Sequence, residues 1–196
     1  MDHEANIDLV PKGHGIAIGV AGGIGSGKTT LIQNLKALIP LQVASYGDYV
    51  RSIANDRDKP TTREALQSLS NELLTDLGHA RLAEVLVNSV GWTRSNPLLI
   101  DGIRHLDAIV ALKEVLAPAS VYLIFVDTPT AVRMARILGR DGTDANEARL
   151  QDQHETESQV MNELRSAADL RLNGTDLQAG ADQVVAALDL LSPIGG

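Results

Sequence analysis

The chain alternates between two kinds of hydrophobic patterning. Short runs rich in Val, Ile, Leu and Ala, at 16–21, 42–45, 97–101, 121–127 and more weakly 169–173, predict strands. Between them, apolar residues recur three and four apart. This spacing predicts helices over 28–39, from 48 to about 55, and over 106–116, 130–138, 147–167 and 177–191. The span 61–90 reads as two helices broken near Gly78, a residue that weakens a helix interior. Pro60, Pro97, Pro118 and Pro129 fall at junctions, where a missing N–H disturbs neither ladder nor helix. Regular alternation of strand and helix predicts an α/β fold with a parallel sheet. No internal repeat or low-complexity tract interrupts it. One domain is expected over 15–196, behind a flexible N-terminal lead at 1–14.

Composition narrows the chemistry. Hydrophobic residues are 44% and charged residues 21% of 196, ordinary for a soluble globular domain. A net charge of −8 argues against nucleic acid and membrane surfaces as partners, and 3% aromatics leaves little for stacking bases. The absence of cysteine excludes disulfides, Cys-ligated zinc and thiol catalysis, and fits a cytoplasmic location. No apolar run approaches the ~18 residues of a membrane span, and the acidic start lacks the apolar core of a signal peptide. An acidic chain that binds phosphate must gather its cations locally, so the positions of the arginines matter.

The candidate chemistry begins at Gly22-Gly23-Ile24-Gly25-Ser26-Gly27-Lys28-Thr29, between a predicted buried strand and a predicted helix. This is the context a P-loop needs. Glycines let successive N–H groups converge on phosphate oxygens, and the helix N-terminus adds its dipole. Gly23, Gly25, Ser26, Gly27, Lys28, Thr29 and Thr30 are therefore the nucleotide-binding candidates. In this pattern Lys28 pairs with the β- and γ-phosphates of ATP, and the Thr29 hydroxyl ligates Mg²⁺. A strand-end acid should support the metal, and both Asp101 and Asp127 close predicted strands. Arg133, Arg136 and Arg140 fall at i, i+3 and i+7 on one helix face, ahead of a glycine-containing turn. The five histidines have no metal-like spacing and read as surface residues.

Two further segments carry a family resemblance. Ser45-Tyr46-Gly47-Asp48-Tyr49-Val50-Arg51 resembles the Gly-Asp-x-[Leu/Val]-Arg segment of adenylate-kinase-like nucleoside monophosphate kinases. Leu98-Leu99-Ile100-Asp101-Gly102-Ile103-Arg104 is similar to their Leu-Leu-Asp-Gly-Phe-Pro-Arg segment, one residue shorter between Gly and Arg. The P-loop itself, and the stretch 121–188, look more like dephospho-coenzyme A kinase. The combination, with Ala168, Asp169, Asn173 and Gly174 near the end, most resembles a mainly archaeal group of adenylate-kinase-related P-loop proteins.

The resemblance implies a five-stranded parallel sheet of order 2-3-1-4-5 in a three-layer α/β/α sandwich with a short lid near 139–146. Asp101 then lies beside the P-loop strand and supports Mg²⁺ with Thr29. Arg51 and Arg104 clamp the acceptor phosphate, within an acceptor region at about 47–92. Arg136 and Arg140 supply charge to the transferring phosphoryl group, with Arg149 a further lid-side candidate, and Asn173 lies near the adenine. Asp48 is either a general base, or a helix cap or orienter of Arg51. The expected activity is ATP-dependent transfer to a small phosphate acceptor, favouring a nucleoside monophosphate. A hydroxyl acceptor such as dephospho-coenzyme A, and a regulatory P-loop ATPase, stay open.

Overall fold

The computed structural model describes residues 15–139 and 160–191. Arg140, Arg149, nearly all of the expected lid and the first 13 residues of the helix predicted over 147–167 lie outside the described residues. Five strands form one parallel sheet: β1 (Ile16–Ala21), β2 (Gln42–Ser45), β3 (Leu98–Asp101), β4 (Ser120–Asp127) and β5 (Leu170–Asn173). Their spatial order is β2-β3-β1-β4-β5, as the resemblance implied. The intervening helices are α1 (Lys28–Leu38), α2 (Tyr46–Asp56), α3 (Arg63–Ser89), α4 (Leu106–Leu116) and α5 (Thr130–Leu138). A π-helical turn at Val160–Leu164 runs into the short α6 (Arg165–Ala167), and α7 (Leu177–Leu191) closes the order.

The side-chain alternation of β3 sorts the core. Leu98 and Ile100 face one side, where Leu86, Leu112 and Phe125 complete a cluster with α3 and α4. Leu99 faces the other, joining Ile18, Val20, Leu31, Leu35 and Val184 between the sheet and α1 and α7. With helices on both faces, the central strands are continuously apolar rather than alternating, which is why β1 reads as Ile-Ala-Ile-Gly-Val-Ala. A third, smaller cluster of Val50, Ala54, Leu69, Leu73 and Leu82 ties α2 to α3.

Two local details refine the sequence reading. Helix α2 starts at Tyr46, not Asp48, because Ser45 at the end of β2 is the N-cap, its Oγ accepting from Asp48 N at 3.2 Å. Asp48 is therefore inside the first turn and is not the cap. The break expected near Gly78 is present: φ 70°, ψ 169° interrupts α3 there.

Candidate functional site

Parallel strands of an open α/β sheet present their ligands at their C-terminal ends. Here β1 delivers the chain into the glycine loop at Gly22, and α1 begins at Lys28. Gly25 has φ 76°, and a Cβ there would lie 2.7 Å from Arg133 O, so both backbone and space require glycine.

The loop is held from outside by its carbonyls. Buried Thr128 donates Oγ1–H to Ser26 O at 2.9 Å. Arg133, 3% exposed, donates Nη1–H to Ile24 O at 3.2 Å. Arg136 Nη1 donates to Gly25 O at 3.3 Å and Ser26 O at 3.0 Å, while its Nη2 donates to Gly174 O at 2.8 Å. These donors engage three consecutive loop carbonyls, and Ser26 N–H donates to Gly23 O at 3.1 Å within the loop. Helix α1 has no side-chain N-cap, and helix N-termini of this kind suit anions. Lys28 Nζ donates to Gly22 O at 2.6 Å and Gly23 O at 3.2 Å, which holds its ammonium at the loop.

The two strand-end acids differ. Asp127 Oδ2 accepts from Arg165 Nε at 2.9 Å and Nη2 at 2.6 Å. Asp101 lies opposite Val20 of β1 and Ser45 of β2 in the sheet register, and its Oδ1 is buried with no hydrogen-bond partner. A buried carboxylate oxygen left open is costly unless a ligand completes it. Asp101 and the exposed Thr29 hydroxyl line one cavity. Hard oxygen donors of this kind fit Mg²⁺, which keeps most of its shell as water and phosphate. Among the described residues no cluster of three His, Cys, Asp or Glu side chains offers an all-protein metal cage.

That cavity, about 500 Å³, is lined by Lys28, Thr29 and Asp101 and also by Arg51, Arg63 and Arg104. Lys28, the three arginines and Asp101 leave a cationic excess there, inside a chain of net charge −8. Arg51 is itself bound to Asp48 at 2.7 Å. Tyr46 lines the same wall, its hydroxyl pushed up to about 12 by burial and so kept protonated. His79 and His105, read from sequence as surface residues, are half-buried in the lining with ring centroids 5.7 Å apart. Burial, then the neighbouring His105, holds His79 below the usual histidine range, against an opposing pull from Asp107.

A second opening, on the outer side of the loop, is lined by Gly27, Thr29, Thr30, Arg136 and Leu177. Asn173 does not line either opening; its Oδ1 accepts from Thr175 N at 3.0 Å and Thr175 Oγ1 at 2.8 Å, closing a local turn. Sequence reasoning missed Arg63, Gln67, Ser70, Asn71 and the histidine pair as cavity residues, and Thr128 and Arg133 as loop braces. The spacing 63, 67, 71 was available as a signal, but one helix face out of several says nothing until its partner is known.

The AAA domain family matches residues 21–168. A UPF0200 protein of Methanoregula boonei is 32% identical over 80% of this chain and 86% of its own length. One from Hyperthermus butylicus is 32% identical over 66% of this chain and 68% of its own. The chain spans 66% of the length of the Thermococcus sibiricus UPF0200 protein, at 30% identity. Among solved structures, TT1252 from Thermus thermophilus aligns with a TM-score of 0.62 at 20% identity, covering 89% of this chain and 98% of that one. The Mycobacterium tuberculosis APS kinase, solved with AMPPNP and APS, aligns at 0.59 and 17% over 89% and 98%. A shikimate kinase from Bacteroides thetaiotaomicron aligns at 0.56 and 14% over the same shares. These likenesses establish the P-loop kinase fold, and the sequence matches place the chain in the AAA domain family and among the UPF0200 proteins.

Proposed function

We propose that this protein is an ATP-dependent small-molecule kinase that moves the γ-phosphoryl group of ATP·Mg²⁺ to a nucleoside monophosphate. One observation carries the reading: a single cavity is lined by Lys28, Thr29 and Asp101 together with Arg51, Arg63 and Arg104. Such a space can seat donor and acceptor phosphates together, and transfer between two bound phosphates is chiefly positioning plus charge stabilisation. The likeness to a shikimate kinase and an APS kinase supports a small-molecule acceptor.

In this reading the loop amides and Lys28 bind the donor phosphates, and Thr29 and Asp101 hold the metal with its waters. When bound, Mg²⁺ neutralises charge on the β- and γ-phosphates. Arg51 and Arg104 present guanidinium forks that match acceptor phosphate oxygens. Asp48 holds Arg51 in place. A guanidinium held in this way suits an acceptor that presents an anion. A monophosphate meets that condition at pH 7, with a second pKa of about 6. A hydroxyl acceptor such as dephospho-coenzyme A needs its proton taken.

The test is ATP turnover measured alone, with each ribo- and deoxyribonucleoside monophosphate, and with dephospho-coenzyme A. Acceleration by a monophosphate is the expected result. Turnover that ignores every acceptor identifies a regulatory ATPase instead, and acceleration by dephospho-coenzyme A alone identifies a hydroxyl kinase.

A further inference from the structure

The part of the cavity that no sequence motif describes is the face of α3. Two adjacent rows of this helix line it. Arg63, Gln67 and Asn71 form one row at i, i+4 and i+8, and Leu66, Ser70 and Leu74 form the next. The first row is polar and ends in two neighbouring carboxamides. The second is mainly apolar. Eight residues of helix extend about 12 Å, so the rows reach well beyond a phosphate site.

We infer that this face of α3 is the nucleobase subsite of the acceptor, with Gln67 and Asn71 reading the base edge and the Leu66–Leu74 row meeting its ring. The inference rests on the proposed monophosphate kinase reading and deepens it. A flat heterocycle has an apolar face and a polar edge at right angles to it. Adjacent apolar and carboxamide rows on one helix match those two surfaces. Each carboxamide carries both a donor and an acceptor. Side chains of this type pair best with an edge that places an amine beside a ring nitrogen, as in adenine. Cytosine presents the same amine–nitrogen pair. Guanine instead presents adjacent N–H donors, which call for a carboxylate, and Asp101 at the metal end is the only Asp or Glu in the described lining of this cavity. Arg63 stands one turn before Gln67 in the same row, so the row runs from a cation to the two amides.

The test compares kcat/KM for AMP, CMP, UMP and GMP in the wild type, in Gln67→Leu and Asn71→Leu, and in Gln67→Glu and Asn71→Asp. Gln67 and Asn71 are both exposed on α3, so their replacement leaves the core untouched. The expected wild type prefers AMP or CMP over GMP by at least about tenfold, each good base pairing being worth ~1–3 kcal/mol of discrimination. The comparison of AMP with CMP shows which of the two bases is taken. The leucine variants should bring the four values within about threefold of one another by raising acceptor KM, with KM for ATP unchanged. The carboxylate variants should gain relative activity with GMP. Monophosphate turnover with base preferences unchanged in every variant, or a wild type that prefers GMP or UMP, overturns this subsite alone. A wild type that uses no monophosphate overturns the kinase reading beneath it as well.

Discussion

Arg51 donates Nη1–H to Asp48 Oδ1 at 2.7 Å, one turn apart on the exposed face of α2, and Arg51 lines the cavity that also holds Lys28 and Asp101. Exposed pairs of this kind add little to stability, so the contact matters for where it points the guanidinium. Asp48→Asn keeps the shape and should cost less than about tenfold in kcat with the best monophosphate, its main effect being a raised acceptor KM. General bases contribute ~10²–10⁴-fold. A thousandfold loss of kcat with unchanged melting temperature would show that Asp48 takes a proton, and with it that the acceptor is a hydroxyl.

At the donor end, Lys28→Ala should leave the fold intact and reduce kcat below about a tenth of wild type, since tenfold corresponds to only ~1.4 kcal/mol of barrier. Asp101→Asn removes the buried, unpartnered carboxylate oxygen. The unliganded variant should melt no lower than wild type, because no existing hydrogen bond to Oδ1 is lost. The Mg²⁺ concentration for half-maximal turnover should rise at least about tenfold. An unchanged Mg²⁺ requirement would remove Asp101 from the metal shell.

Arg136 reaches three carbonyls, two in the glycine loop and one at Gly174. Hydrogen bonds from charged donors contribute roughly 1.5–3 kcal/mol. Arg136→Ala should therefore lower the melting temperature by about 3–12 °C, at ~2–4 °C per kcal/mol for a chain of this size. It should also raise KM for ATP more than it lowers kcat. A variant that melts like wild type and loses only kcat would instead place Arg136 on the transferring phosphoryl group, as the adenylate-kinase resemblance implies.

Gly78 breaks α3 at φ 70° and ψ 169°, a region essentially closed to other residues. A Cβ added there meets nothing within 4 Å, so any cost of substitution is backbone strain and not packing. Gly78→Ala should lower unfolding free energy by about 1–3 kcal/mol in urea titration. Straightening the break should also displace His79 from the cavity wall and weaken acceptor binding. A neutral effect on stability would mean that α3 adopts a continuous helix without penalty.

The sequence alone determined the donor half of this protein. A glycine loop with Lys28 and Thr29, between a continuous apolar run and a 3.6-period run, is local chemistry: its residues are neighbours in the chain, and strand, turn and helix propensities agree on it. The strand order followed from the resemblance of the 45–51 and 98–104 segments. Tertiary structure decided which strand-end acid is open, because Asp127 meets Arg165 across 38 residues while Asp101 Oδ1 meets nothing. It also turned Arg133 and Arg136 toward loop carbonyls more than a hundred residues earlier in the chain. It gathered Arg63, Gln67, Asn71 and His79 of α3 and His105 at the start of α4 around one cavity. Periodicity identifies a helix face, but only packing determines what that face looks onto. The cavity wall beyond the glycine loop is formed by packing between distant segments, so its residues became legible only in the folded chain.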